Sequence, residues 1–187
     1  MLVVISGASR SGKTLLAQNI AAEERMSYVS LDWIMMGFTN GIPEYGIYDK
    51  LFPDVIAQKM WPFVKAMFES MIYVDTDCVI EGEAILPELI KELQLNYPDK
   101  IKLCFLGYKD VNVQKKLIEI RDFSNKKNDW LYDKSDAYIT DHINNMIAHS
   151  KLIIKSCDEN GMRYVDTSVN FLSSLELAKR YLLKTGE

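Results

Sequence analysis

Apolar residues along this chain fall into two rhythms, and the rhythms alternate. Residues 2–6 (LVVIS) form a continuous apolar run of strand length. In residues 14–24, Leu15, Leu16 and Ile20 return to one side at helical spacing. The stretches MSYVSLD, ending near Asp32, and DCVIEGE, ending near Glu81, read as a second and third strand. KIKLCFLGY reads as a fourth, and GMRYVDTS as a fifth, announced by the turn pair Asn160 and Gly161. Helical periodicity fills the intervals: Val55, Met60, Val64, Met67 and Met71, then Ile85, Leu89 and Leu93. It returns at Ile139, Ile143, Met146 and Ile153, and at Phe171, Leu175, Ala178 and Leu182. The Met-rich stripe in the first of these reads as core.

Strands alternating with helices predict a parallel sheet covered on both faces. No repeat, low-complexity tract or linker divides the chain, so residues 1–187 read as one domain. Two stretches break the alternation. Residues 36–52 place Gly37, Gly41, Pro43 and Gly46 among aromatics, and residues 121–136 are polar. Irregular insertions in compact α/β domains commonly carry substrate loops or lids.

Composition narrows the function. A net charge of -4 argues against a nucleic-acid surface and leaves small molecules open. Cys78, Cys104 and Cys157 form no CxxC pair and lie in apolar stretches, as buried thiols of a reducing compartment do. No leader and no span of membrane length is evident, so a cytoplasmic protein without membrane partners is expected.

The candidate chemistry starts directly after the first strand. Gly7, Ala8, Ser9, Arg10, Ser11, Gly12, Lys13 and Thr14 complete the pattern GxxxxGK[ST] between a strand and a helix. Glycines let the backbone curl so that N–H groups converge on a phosphate chain, and the following helix adds its positive end. Lys13 is placed for the β- and γ-phosphates, and the Thr14 hydroxyl for Mg²⁺. Arg10 reads equally as a phosphate contact or as a solvent-facing side chain.

In open parallel sheets, ligands bind beyond the carboxyl ends of the strands. There the second strand offers Asp32 and the third offers Glu81 and Gly82. A phosphate loop of this form, an Asp after the second strand and V-I-E-G closing the third resemble the P-loop small-molecule kinases. Uridine kinase and nicotinamide riboside kinase are the nearest types, with shikimate kinase and chloramphenicol phosphotransferase as cousins. The resemblance covers most of the chain. It implies a three-layer fold with a five-stranded parallel sheet in the order 2-3-1-4-5, and ATP and Mg²⁺ as cosubstrate and metal. Asp32 would be the general base at the acceptor hydroxyl, and Glu81 would stand near the metal. Phosphoryl transfer itself asks for a carboxylate that orients the attacking hydroxyl. The competing readings are a helix N-cap for Asp32 and a structural hydrogen bond for Glu81. Asp75 and Asp166 also end apolar runs, and the resemblance puts Asp166, Thr167 and Ser168 near the nucleotide base.

A kinase must exclude water, and residues 121–137 are the lid candidate. The resemblance implies arginine on the transferring group. Arg121 is the arginine at hand, with Lys126 and Lys127 as weaker forks. The acceptor region falls at about residues 33–76, rich in aromatics: Trp33, Phe38, Tyr45, Tyr48, Phe52, Trp61 and Phe63. It contains no arginine from Trp33 to Asp77. A phosphorylated acceptor is normally held by arginine forks, so an uncharged, nucleoside-like hydroxyl compound is expected. Two other readings stand beside this kinase. One is a nucleotide kinase using Lys50, Lys59 and Lys65, and the other is a nucleotide-binding regulator with little turnover. A monomer or homodimer is expected.

Overall fold

The structure is a computed structural model that describes residues 1–123 and 129–183. Five strands form one sheet: β1 (Leu2–Gly7), β2 (Ser27–Ser30), β3 (Cys78–Glu81), β4 (Ile101–Gly107) and β5 (Tyr164–Asp166). All neighbours pair in parallel, in the order β2-β3-β1-β4-β5. This is the expected order.

The sheet is covered on both faces, and that is why its strands read as unbroken apolar runs. Successive residues of β1 point to opposite sides. Leu2 and Val4 join one core, Val3 and Ile5 the other. The same alternation sends Leu103 and Phe105 of β4 one way and Cys104 and Leu106 the other. The smaller core is closed by α1 (Lys13–Glu24) and α7 (Phe171–Leu183). The larger is closed by α2 (Leu31–Gly41), α3 (Pro53–Tyr73), α4 (Pro87–Asn96), α5 (Val113–Phe123) and α6 (Asp136–Asn160).

Helix ends follow local chemistry. Pro53 and Pro87 open α3 and α4, where a missing N–H costs nothing. Ser135 caps α6 by accepting the Tyr138 N–H at 3.2 Å, and Gly161 closes it in the left-handed region. The Met-rich stripe is core, with Met60, Val64 and Phe68 fully buried. All three cysteines are buried free thiols, and burial pushes Cys104 and Cys157 up to about 12.

Three expectations shift. The second strand stops at Ser30, and Asp32 already lies in the first turn of α2. The stretch expected to be irregular from residue 36 is therefore helical to Gly41, with a 3-10 turn at Pro43–Tyr45. The start of the lid stretch is the last turn of α5, which carries Arg121. Among the described residues no helix is long and apolar enough to cross a membrane.

Candidate functional site

β1 ends against β4 at a distance only glycine tolerates. Gly7 has φ 128°, and a Cβ there would stand 1.8 Å from the Leu106 carbonyl oxygen. The Ala8 N–H donates to the same carbonyl at 2.9 Å, so the loop starts from a fixed point. Gly12, φ 94°, is the N-cap of α1, and Phe171 from α7 packs where its Cβ would be. The first turn of α1 holds no acidic residue. The positive end of the helix is thus left for an external anion.

The side chains of the loop are arranged around that end. Lys13 is buried and donates from Nζ to the Ala8 carbonyl at 2.8 Å, with the Glu83 carboxylate at 3.6 Å. Thr14 Oγ1 lies 3.2 Å from Glu81 Oε2, and Tyr28 donates its hydroxyl to Glu81 Oε1 at 2.9 Å. Burial, reinforced by Glu81, raises the Tyr28 hydroxyl above its ordinary value and keeps it a donor. Ser11 is fully buried, and its Oγ has no partner among the described residues. Arg10 occupies the left-handed region at φ 60°, costly for a residue with a Cβ. Its guanidinium grips both carboxylate oxygens of Asp129, and the residue also lines the cavity that the loop borders.

One cavity of about 710 Å³ joins these parts, and its lining includes Ser9, Arg10, Lys13, Thr14, Asp32, Glu81 and Glu83. Lys116, Glu119, Ile120, Trp130 and Phe171 also line it. Asp32 opens onto it. The N-cap of α2 is Ser30, so Asp32 is no cap. Its carboxyl is pushed up to about 6 by the surrounding protein, with Glu83 and Glu81 adding to the rise and Lys13 opposing it. Glu81 is almost fully buried. Its structural reading and its position beside Thr14 therefore hold together: one carboxylate is gripped by Tyr28 and faces the threonine hydroxyl.

Other expected positions fall outside the cavity lining. Arg121 is turned to the base of α6. It bonds Asp136 at 2.6 and 3.0 Å and the carbonyls of Tyr132 and Lys134. In this arrangement the donors expected to close over a transferring group are engaged with Asp136 and the strap between α5 and α6. Lys126 and Lys127 lie outside the described residues. Asp75 is fully exposed and paired with Lys100 at 2.7 Å, far from any metal role. Asp166 ends β5 and accepts the N–H groups of Lys109 and Ser168. Thr167 and Ser168 line a smaller cavity of about 220 Å³, which shares Lys116 and Phe171 with the first. Of the aromatics in the acceptor region, Phe38 and Phe68 are core, with Trp61 packed partly buried against that core. Trp33, Tyr45, Tyr48, Phe52 and Phe63 stay exposed, Trp33 edge-on to Tyr28.

The sequence reading passed over Glu83, Lys116, Asp129 and Trp130. Glu83 stands two residues past Glu81, where a strand-end search extends naturally. Lys116 is buried in α5, its Nζ 5.0 Å from the Tyr108 ring centre and 5.5 Å from that of Phe171. Burial lowers it, against the pull of Glu119. Its neighbours come from three elements, and no local pattern marks it.

The fold and the loop define this molecule as a P-loop α/β domain. No family model and no curated protein matches the sequence. Solved structures do share the fold. Shikimate kinase from Bacteroides thetaiotaomicron superposes over 97% of this chain and 96% of its own, at 16% identity and TM-score 0.56. A sugar kinase from Janibacter does so over 97% and 93%, at 18% and 0.54. A putative kinase from Chloroflexus aurantiacus covers 97% and 94%, at 16% and 0.51. These neighbours are P-loop small-molecule kinases, and at such identities the likeness is one of fold.

Proposed function

We propose that this chain is an ATP- and Mg²⁺-dependent kinase of a small hydroxyl compound. The observation that carries the reading is the single cavity in which a phosphate loop, the Thr14–Glu81 pair and a carboxylate near pKa 6 meet. The neighbours named shikimate kinase and sugar kinase support it through fold.

The residues fit a nucleotide and its metal. The open N-terminus of α1 and the unpartnered Ser11 hydroxyl suit phosphate oxygens. Thr14 Oγ1 and Glu81 are hard oxygen donors, the kind Mg²⁺ takes with its waters. Bound there, the ion would neutralise charge on the β- and γ-phosphate oxygens. Lys13 would exchange its Ala8 and Glu83 partners for the phosphates. Lys116, Phe171 and the loop at Thr167 would flank the base. Asp32 would take the proton of the acceptor hydroxyl as the new O–P bond forms and the bond from the γ-phosphorus to the bridging oxygen breaks. ADP leaves with that oxygen.

Among the described residues Lys13 and Lys116 are the lysines that line the cavity, while Arg10 is held by Asp129. On the acceptor side Lys65 is drawn to Glu92 at 3.4 Å. That weakens the case for a nucleotide acceptor and favours an uncharged one. Phosphoryl transfer from ATP to a panel of nucleosides, sugars and nucleoside monophosphates tests the reading. A neutral acceptor is expected, with transfer reduced about 10²–10⁴-fold in Asp32→Asn. Lys13→Ala is expected to remove transfer and weaken nucleotide binding together. Turnover of nucleoside monophosphates alone would overturn the uncharged acceptor, and unaltered transfer in Asp32→Asn would overturn the base.

A further inference from the structure

The cavity holds a second buried cation whose surroundings match it poorly. Lys116 of α5 is 7% exposed and lines the cavity together with Lys13. Its Nζ stands 5.0 Å from the ring centre of Tyr108 and 5.5 Å from that of Phe171. Its carboxylate partner among the described residues is Glu119, at 3.6 Å, one helical turn on and itself partly exposed. Two ring faces and one long ion pair stand in for the water that an exposed ammonium would hold. Burial accordingly favours the neutral amine, and Arg10 adds repulsion. Buried charges are as a rule paired, and this one is paired only weakly.

The ammonium belongs to the neighbourhood of the phosphate loop. The Phe171 ring touches both: it packs where a Gly12 Cβ would be, at the open end of α1, and Lys116 Nζ stands over it. Tyr108 directly follows β4, whose Leu106 carbonyl fixes Gly7 and Ala8. The two rings around the ammonium are therefore anchored in β4 and α7, the elements that also hold the loop. Lys116 is placed by the core, not by the strap. It also lines the smaller cavity at Thr167 and Ser168.

The arginines nearest to hand are engaged elsewhere, Arg10 with Asp129 and Arg121 with Asp136. Resting on the kinase reading above, we infer that Lys116 is the second phosphate-binding cation of the site, preset in α5 instead of carried by the strap. A phosphate chain on the loop displaces the Glu119 carboxylate, which water can solvate, and supplies the anion that the buried ammonium lacks. The apolar stem of Lys116 still flanks the base, since a lysine side chain divides into a greasy stem and a charged tip. Two consequences separate this role from packing. The ammonium weakens the empty protein and strengthens the loaded one. Glu119 competes with phosphate for it.

Binding to the full chain, with no transfer step, tests this. Inorganic tripolyphosphate, a non-hydrolysable ATP analogue with Mg²⁺, and adenosine are each titrated calorimetrically into wild type, Lys116→Met and Glu119→Gln. Lys116→Met keeps the apolar stem. It is expected to bind tripolyphosphate and the analogue at least about 10-fold more weakly, and adenosine as wild type does. Its melting temperature without ligand is expected to rise, because a weakly paired buried charge is gone. Glu119→Gln is expected to bind tripolyphosphate more tightly, by about 3-fold. Unaltered tripolyphosphate binding in Lys116→Met, with the analogue and adenosine weakened equally, assigns the residue to the base alone and overturns the inference. Weaker tripolyphosphate binding in Glu119→Gln overturns it too, as does a Lys116→Met protein that melts lower and binds every probe less well. Wild type that binds neither tripolyphosphate nor the analogue removes the phosphate-loop reading, and this inference with it. The expected binding pattern without phosphorylation of any acceptor removes the kinase reading and leaves Lys116 a phosphate ligand.

Discussion

The two sides of the cavity are built on different principles. The phosphate side is backbone: one strand end, one tight loop and one helix terminus within residues 2–16, fixed by two glycines that touch β4 and α7. The rest of the lining is assembled from side chains of Asp32, Glu83, Lys116 and Trp130, brought from α2, the stretch after β3, α5 and the strap. A backbone site can be recognised from spacing, because peptide groups are the same in every sequence. A side-chain site is specific because its parts come from far apart, and it is invisible locally for the same reason.

Substituting the two sides should therefore fail in different ways, and the largest effect belongs to the backbone. Gly7→Ala would drive a Cβ to 1.8 Å from the Leu106 carbonyl, at a φ that alanine avoids. Rigid main chain lies on both sides of the clash. A loss of at least about 3 kcal/mol in unfolding free energy is expected, read as the denaturation midpoint, with nucleotide binding lost in parallel. A stable Gly7→Ala protein would show that β1 and β4 are not held as rigidly as their register implies.

On the side-chain half, Asp32→Asn should spare the fold and change the pH dependence. The Asp32 carboxyl titrates near 6 in the folded chain, above the 3.8 of a free aspartate. The folded state therefore holds this proton more tightly than the unfolded one. Stability falls as pH rises from about 4 to about 6, and the loss persists above that. Activity has the opposite sign, since a base works only when deprotonated: kcat/KM for wild type should rise through pH 6. In Asp32→Asn that limb should vanish, and the melting temperature at pH 8 should stand above that of wild type. A variant that melts lower at pH 8 would mean that the carboxylate is stabilised in its charged form, contrary to its surroundings.

The same division explains what was legible in the sequence. The layers and the phosphate loop were readable from local spacing, whereas the strand order and the place of Glu81 came from the resemblance to P-loop kinases. Asp32 was found as a strand end, although it is the second residue of a helix. The direction of Arg121 was not legible, because chain position says nothing about it: the residue sits at the edge of the strap and points to the base of α6. Glu83 and Lys116 were missed because their significance comes only from Lys13, Tyr108 and Phe171, supplied by other elements.

Arg10 and Asp129 join the two halves, and a double-mutant cycle measures the joint. Arg10 accepts a left-handed backbone, and Asp129 is nearly buried while also accepting the Leu131 N–H at 2.9 Å. Both are arranged for this bidentate pair, which brings the loop beside Trp130. A coupling of about 1.5–3 kcal/mol is expected from Arg10→Ala, Asp129→Asn and the double variant in thermal unfolding. Transfer activity should fall in either single variant more than nucleotide affinity does, since the pair orders the strap rather than the phosphates. Zero coupling would leave the two halves independent.

The smallest effect is expected at Arg121, where it separates a lid arginine from a strap arginine. Its guanidinium is tied to Asp136, which is largely exposed, and to two carbonyls. Exposed ion pairs contribute little, so Arg121→Ala should cost about 1 kcal/mol or less. It should change kcat by no more than about 3-fold, as expected of a group that makes no contact in the transition state. Salt distinguishes the cases further. The stability difference between wild type and Arg121→Ala should shrink at high ionic strength, whereas the Arg10–Asp129 coupling should persist because Asp129 is shielded. A drop of about 10³-fold in kcat with unchanged stability, the size associated with a charge placed on a transferring phosphoryl group, would mean that Arg121 leaves Asp136 during turnover. The strap would then belong to the backbone half of the comparison after all.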